Sequence, residues 1–138
     1  MADIVLDLPP PVSVNKLRRI NWREQKRAAA WRDMADRFLM VAKTRKENPV
    51  KFESLKRFEI EITLSEDHVF LDLDNSLKLL IDYLRYREII ENDSKAHMRK
   101  LTVMWGRAPA GCLVVVKPCS PTVNDVLRDT ALRMEAAQ

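Results

Sequence analysis

Glycine is scarce, at 2 of 138 residues. A chain this poor in glycine cannot build the glycine-rich loops that cradle phosphates, and neither GxGxxG nor GxxxxGKS occurs, so no nucleotide cofactor is expected. Cysteine is equally rare. Cys112 and Cys119 are too few for a disulfide framework or a thiolate metal site, and both read as reduced thiols, Cys112 packed in a strand. No apolar run approaches the ~20 residues that a membrane span needs. The N-terminus shows no basic segment followed by an apolar stretch, so the expectation is a cytoplasmic protein without a membrane partner. Internal repeats and low-complexity segments are absent as well. One domain with a single modest core is what remains.

Charge is present in quantity and unevenly placed. Residues 1–57 carry 14 Lys/Arg against 7 Asp/Glu, while residues 58–138 carry 10 against 13. A basic half beside an acidic centre suits a protein that grips phosphates on one surface and cations at another. A helix coated with solvated charges would give the same balance.

Ile4, Leu6 and Leu8 alternate with Asp3, Val5 and Asp7, which predicts a first strand ended by Pro9-Pro10-Pro11. Helical spacing runs from about 21 to 46. Ala28, Trp31, Met34, Ala35, Phe38, Leu39 and Ala42 mark one face, with Arg23, Lys26, Arg27, Arg37 and Lys43 largely elsewhere, and Asn48-Pro49 breaks the pattern. Phe58, Ile60, Ile62 and Leu64 give the clearest strand. A Ser65-Glu66-Asp67 turn leads into an extended run, Val69-Phe70-Leu71, and a helix follows from about 75 to 87. Leu101–Trp105 and Cys112–Val116 predict two strands, paired as a hairpin around Gly106, Pro109 and Gly111. Ser120-Pro121 opens a last helix with Val123, Leu127, Ala131 and Met134 on one face. The order β-α-β-α-β-β-α indicates an α/β or α+β fold with a mixed sheet. The three tryptophans, Trp22, Trp31 and Trp105, are irregularly spaced and read as core or interface residues.

The most informative segment is Asp72-Leu73-Asp74-Asn75-Ser76-Leu77-Lys78, where the extended run gives way to helical spacing at Leu77, Leu80, Ile81 and Leu84. In an extended backbone residues i and i+2 share a face, so Asp72 and Asp74 can converge. Asp74 reads as the helix N-cap, with Lys78 one turn in. Two carboxylates and a cation are what phosphodiester hydrolysis needs: oxygen ligands for Mg²⁺, and positive charge where negative charge develops.

With Leu71-Asp72-Leu73-Asp74-Asn75 and Lys78 at its centre, the chain resembles the RusA-type Holliday-junction resolvases. Leu8-Pro9-x-Pro11-x-Ser13-x-Asn15 is similar to the family's N-terminal signature. Asp82 and Leu84 fall where its motif helix has Asp and Leu, and Asp93, 15 residues after Lys78, takes the place of its third acidic residue. The likeness covers about residues 3–117. It divides the chain into a RusA-like nuclease domain, 1–118, and a helical extension of that domain, 119–138. Three departures stand out: Ser65-Glu66-Asp67-His68 where the family often has arginines, Asn92-Asp93 in place of a paired Asp-Asp, and a final helix beyond the match.

The resemblance implies a metal-dependent endodeoxyribonuclease that resolves four-way DNA junctions by paired symmetric hydrolysis, in DNA recombination and repair. Asp72, Asp74 and Asp93 would bind Mg²⁺, with Mn²⁺ as a substitute, and Lys78 would stabilise developing charge. Asn75 and Asp82 would support the site. Asn15, Lys16, Arg18, Arg19 and Arg23 are the expected DNA contacts. It implies a homodimer too, since two symmetric nicks need two sites. Trp105, Val114, Val123, Leu127 and Met134 are candidates for its interface, although the last helix could instead cover its own sheet. The family's usual setting points to a prophage. The alternative is a non-catalytic DNA-binding protein of the same fold, with Asp72 and Asp74 capping a helix. A haloacid-dehalogenase-type phosphatase and a DxD sugar-nucleotide transferase both need more chain than follows Asp74.

Overall fold

The computed structural model describes residues 3–13, 22–47, 49–119 and 123–137. Their elements run β1 (Ile4–Leu8), α1 (Trp22–Lys43), β2 (Phe58–Leu64), α2 (Leu73–Tyr86), β3 (Met98–Trp105), β4 (Cys112–Pro118) and α3 (Val123–Ala136), the order expected from the sequence. The domain is a small α+β fold around a four-stranded mixed sheet of order β1-β4-β2-β3. No described helix is long and apolar enough to cross a membrane.

Strict alternation decides which face of the sheet is covered. Ile4, Leu6 and Leu8 of β1, Phe58, Ile60, Ile62 and Leu64 of β2, and Cys112, Val114 and Val116 of β4 are all buried on one face. α1 and α2 join the same core through Ala28, Trp31, Ala35, Leu39 and Ala42, and through Leu79, Leu80, Ile81, Tyr83 and Leu84. The other face carries half-buried or exposed positions such as Val5, Glu61, Thr63, Thr102 and Val115, with Lys117 Nζ 3.0 Å from Glu61 Oε1. Burial raises the Cys112 thiol, with a smaller push from the charge of Asp7, to a pKa of about 12, which fits an inert core residue.

α1 forms because its middle is alanine-rich and free of glycine and proline. Its end is tied off by Thr44 Oγ1, which donates to the Met40 carbonyl at 2.9 Å. Met34, expected on the apolar face, is half exposed.

Several local expectations fail. β3 and β4 are not a hairpin, because β2 lies between them, parallel to β3 and antiparallel to β4. Strand β2 is apolar enough along its core-facing side to occupy the interior of the sheet, so it takes both partners and the 106–111 segment becomes a crossover. Val69-Phe70-Leu71 is not a strand. The Val69 N–H donates to the Ser65 carbonyl at 2.9 Å, which closes a turn that buries Val69 and leaves Phe70 92% exposed. Val114 is fully buried in its own core and cannot serve an interface. Every α3 side chain that is described is exposed, so the described part of that helix does not cover its own sheet. Ser120 and Pro121 lie outside the described residues.

One linked set of contacts fixes the two core helices. Trp31 Nε1 donates to the Pro9 carbonyl at 3.1 Å, and its ring meets Tyr83 edge-on at 5.2 Å. Tyr83 Oη donates to Asp36 Oδ1 at 2.8 Å, and Arg87 closes a two-pronged pair with the same carboxylate. Burial alone would raise the Asp36 pKa, but hydrogen bonds from Arg87 and Tyr83 outweigh it and hold the carboxyl below its ordinary 3.8. A depressed carboxylate stabilises the fold above its unfolded pKa, and that contribution disappears as pH falls through the folded value. Asp36→Asn should therefore lower stability near neutral pH by about 1 kcal/mol, a figure held down by solvent screening of partly exposed side chains. It should also flatten the loss of stability below about pH 4. Denaturant melts from pH 2.5 to 7 on both proteins check this, and parallel acid limbs would refute it.

Candidate active site

Backbone register brings the chemistry-bearing segments to one rim of the sheet. Leu8 pairs with Cys112, Cys112 with Leu64, and Leu64 with Trp105. The carboxyl ends of β1, β2 and β3 therefore share an edge with the start of β4. Open sheets with parallel strands bind ligands beyond such ends. The loops there are stitched together: the Ser65 N–H donates to the Gly111 carbonyl and the Gly106 N–H to the Leu64 carbonyl, each at 3.0 Å. Gly111 has φ +115°, and a Cβ on it would sit 2.4 Å from Pro10 Cγ, so only glycine lets the proline loop close onto the rim.

The turn after β2 delivers the chain to α2, and here the cap differs from the expectation. Asp72, not Asp74, is the N-cap, with φ −66° and ψ 158°, and Asp74 already lies in the first helical turn. Strand alternation, expected to turn both carboxylates to one spot, does not operate here: Asp72 flanks the start of α2 and Asp74 lies within its first turn. The Asp72 side chain makes no capping hydrogen bond, and only its backbone carbonyl is engaged, accepting from Ser76 Oγ at 3.2 Å. Both carboxylates are exposed, and among the described residues neither takes a hydrogen bond or an ion pair.

Lys78 is half-buried one turn further on, about 6 Å along the axis from Asp74 and on the same side of the helix. It has no ion pair among the described residues. Asn75 is exposed beside the pair. The remaining acidic candidates belong to a second cluster. Asp82 Oδ1 lies 3.8 Å from Arg85, and Asp93 Oδ1 accepts from the same guanidinium at 3.3 Å. Asp82 thus faces Arg85 and not Lys78. Arg85 stands about 16 Å along the axis from Asp74, so Asp93 sits with Arg85 and not with the Asp72–Asp74 pair. Among the described residues, no group of three or more His, Cys, Asp or Glu side chains is gathered so as to hold a metal.

Of the expected DNA contacts, Arg23 is exposed in the first turn of α1, while Asn15, Lys16, Arg18 and Arg19 lie outside the described residues. Sequence reasoning did not single out Arg85, although its spacing of three from Asp82 is an ion-pair signal. It also passed over Arg107, next to Gly106 on the rim. Compared with known proteins, the chain matches no family model and no curated protein.

A side chain that does not cap contributes little as a cap. Replacing a working Asp N-cap by Ala costs about 0.5–2 kcal/mol. Asp72→Ala should cost less than about 0.5 kcal/mol, and relief of repulsion with Asp74 works in its favour. Urea unfolding of the variant measures this, and a loss above 1 kcal/mol would return Asp72 to a structural role.

Proposed function

We propose that this chain is a metal-dependent endodeoxyribonuclease acting on branched DNA, of the RusA type that its motifs resemble. The observation that carries the reading is the uncommitted state of Asp72 and Asp74. Two exposed carboxylates share the start of α2 on this rim, and among the described residues neither is spent on a side-chain cap or an ion pair. The rival reading, a DNA-binding protein whose aspartates merely cap a helix, needs the capping bond that Asp72 does not make.

Asp72 and Asp74 are the side chains that would hold Mg²⁺ or Mn²⁺, because Mg²⁺ is commonly bound through one or two carboxylates together with substrate phosphates. When bound, the ion supplies Lewis-acid polarisation of the phosphodiester and an acidified water. Asp93 would join the pair only by leaving Arg85. Breaking that bridge between exposed partners costs about 0–1 kcal/mol, but the loop carrying Asp93 would also have to move toward the start of α2. Lys78 provides an ammonium group on the same side of the helix as Asp74, suited to stabilising charge on the phosphoryl oxygens. The exposed cations of α1 (Arg23, Lys26, Arg27 and Arg37), with the basic residues 16–19 before it, would hold the DNA backbone.

A synthetic four-way junction with Mg²⁺ tests the reading. The wild type should nick it, EDTA should stop cleavage, and Asp72→Asn should abolish it while junction binding persists. Lys78→Ala should slow cleavage about 100-fold or more. An Asp72→Asn protein that cuts at the wild-type rate would overturn the assignment.

Resolution of a junction needs two nicks, and we propose a two-fold dimer in the cytoplasm. The exposed apolar residues of α3, Leu127 at 61% and Met134 at 65%, favour that helix as its interface. A 14-residue amphipathic helix has little stability in water without a partner. Sedimentation at micromolar concentration should give a dimer for the wild type and a monomer for the Leu127→Asp, Met134→Asp double variant. A wild-type monomer would refute the dimer.

A further inference from the structure

One feature of the rim is not used by the Asp72–Asp74 chemistry. An open groove of about 600 Å³ lies between the 65–68 turn and the 105–109 segment. That volume is within the ~300–1,000 Å³ range of small-ligand sites. Its walls differ in character: Glu66, Asp67 and His68 on one, Trp105 and Arg107 on the other.

Trp105 ends β3 and faces the core side of the sheet opposite Leu64, yet it remains 36% exposed. Arg107 is exposed and makes no ion pair among the described residues. Between them Gly106 passes so close to β2 that a Cβ on it would lie 2.8 Å from Thr63 Cγ2. The close approach anchors the backbone that carries both side chains. Across the groove, His68 is held by Ser65, Nδ1 to Oγ 2.8 Å.

An indole beside a guanidinium is a pair that binds one nucleotide, the base stacking on the ring and the phosphate meeting the cation. The opposite wall decides the orientation. Glu66 and Asp67 repel phosphate but can accept hydrogen bonds from the exocyclic amino groups of bases. A base stacked within a duplex cannot enter such a groove, whereas one unpaired at a branch point can.

We infer that this groove holds one unpaired nucleotide of the DNA strand lying on the Asp72–Asp74 corner, its base against Trp105 and its phosphate on Arg107. The inference rests on the nuclease reading for the strand's identity, but its test does not depend on cleavage.

The probe is a four-way junction carrying 2-aminopurine at the branch point, titrated with the full chain in EDTA. Binding of the wild type should quench the 2-aminopurine. Trp105→Ala should remove the quench and weaken binding about ten-fold, in keeping with the loss of one stacked base. Trp105→Phe should keep most of both. Arg107→Ala should weaken binding and lower the slope of log affinity against log salt by about one. A Trp105→Ala protein that binds and quenches as the wild type does overturns the inference. Should Trp105→Ala not fold, Arg107→Ala decides, and an unchanged affinity together with an unchanged salt slope overturns it. A wild type that nicks junctions in Mg²⁺ while these variants bind normally leaves the nuclease reading intact and removes only the groove. Trp105-dependent quenching without cleavage in Mg²⁺ supports the groove and removes the nuclease. A wild type that binds no junction overturns both.

Discussion

Strand β2 is paired on both sides, parallel to β3 and antiparallel to β4, and its core-facing side chains are fully buried. A strand held this way has no freedom of register, because a slip of one residue would turn Phe58, Ile60, Ile62 and Leu64 out of the core. That constraint fixes where the chain emerges at Leu64, and therefore where the turn, the start of α2 and the aspartate pair lie. The helices depend on it in turn. α2 can return to a parallel β3 only by crossing the covered face, where Tyr83 meets Trp31 and Asp36 of α1.

Elements whose own residues carry the signal were legible in the sequence. The period-two run of β2 and the alanine-rich amphipathic run of α1 correspond closely to the elements found. The pairing of strands was not legible. A six-residue link containing Gly106, Pro109 and Gly111 suits a hairpin and a crossover equally, and competition for the edges of β2 makes the choice. Val69-Phe70-Leu71, read as an extended run, joins no strand, and the hydrogen bond from Val69 to Ser65 closes the expected turn at 65–67 ahead of it. At the candidate site, the placing of Asp74 and Lys78 on one side of a helix followed from their spacing, whereas the extended backbone expected to align Asp72 with Asp74 is replaced by the start of α2. The attachment of Asp93 to Arg85 could not be seen, since it depends on the path of the loop between α2 and β3.

The acidic residues around α2 divide into two kinds. Asp82 and Asp93 are neutralised by a guanidinium at one end of the helix, while Asp72 and Asp74 at the other have no ion pair among the described residues. Unpaired like charges side by side weaken a fold slightly, and the helix N-terminus offsets part of that cost. A pair left in this condition attracts cations from solution, so the same geometry that gives little to stability provides an electrostatic sink on the rim.

The sheet order has a bearing on how the chain acquires its fold during synthesis. Of the four strands described, β4 is made last and lies inside the sheet, between β1 and β2. β1 has no neighbour in the sheet until residues 112–116 emerge, roughly a hundred residues later. Until then the apolar side of Ile4, Leu6 and Leu8 has no strand beside it, and β2 lacks one of its two partners. Closing so long a loop is entropically slow, and non-local pairings of this kind delay folding. While the segment between β2 and β4 is being made the nascent chain therefore exposes two incomplete strand edges, the period in which such a sheet is most open to association with other chains.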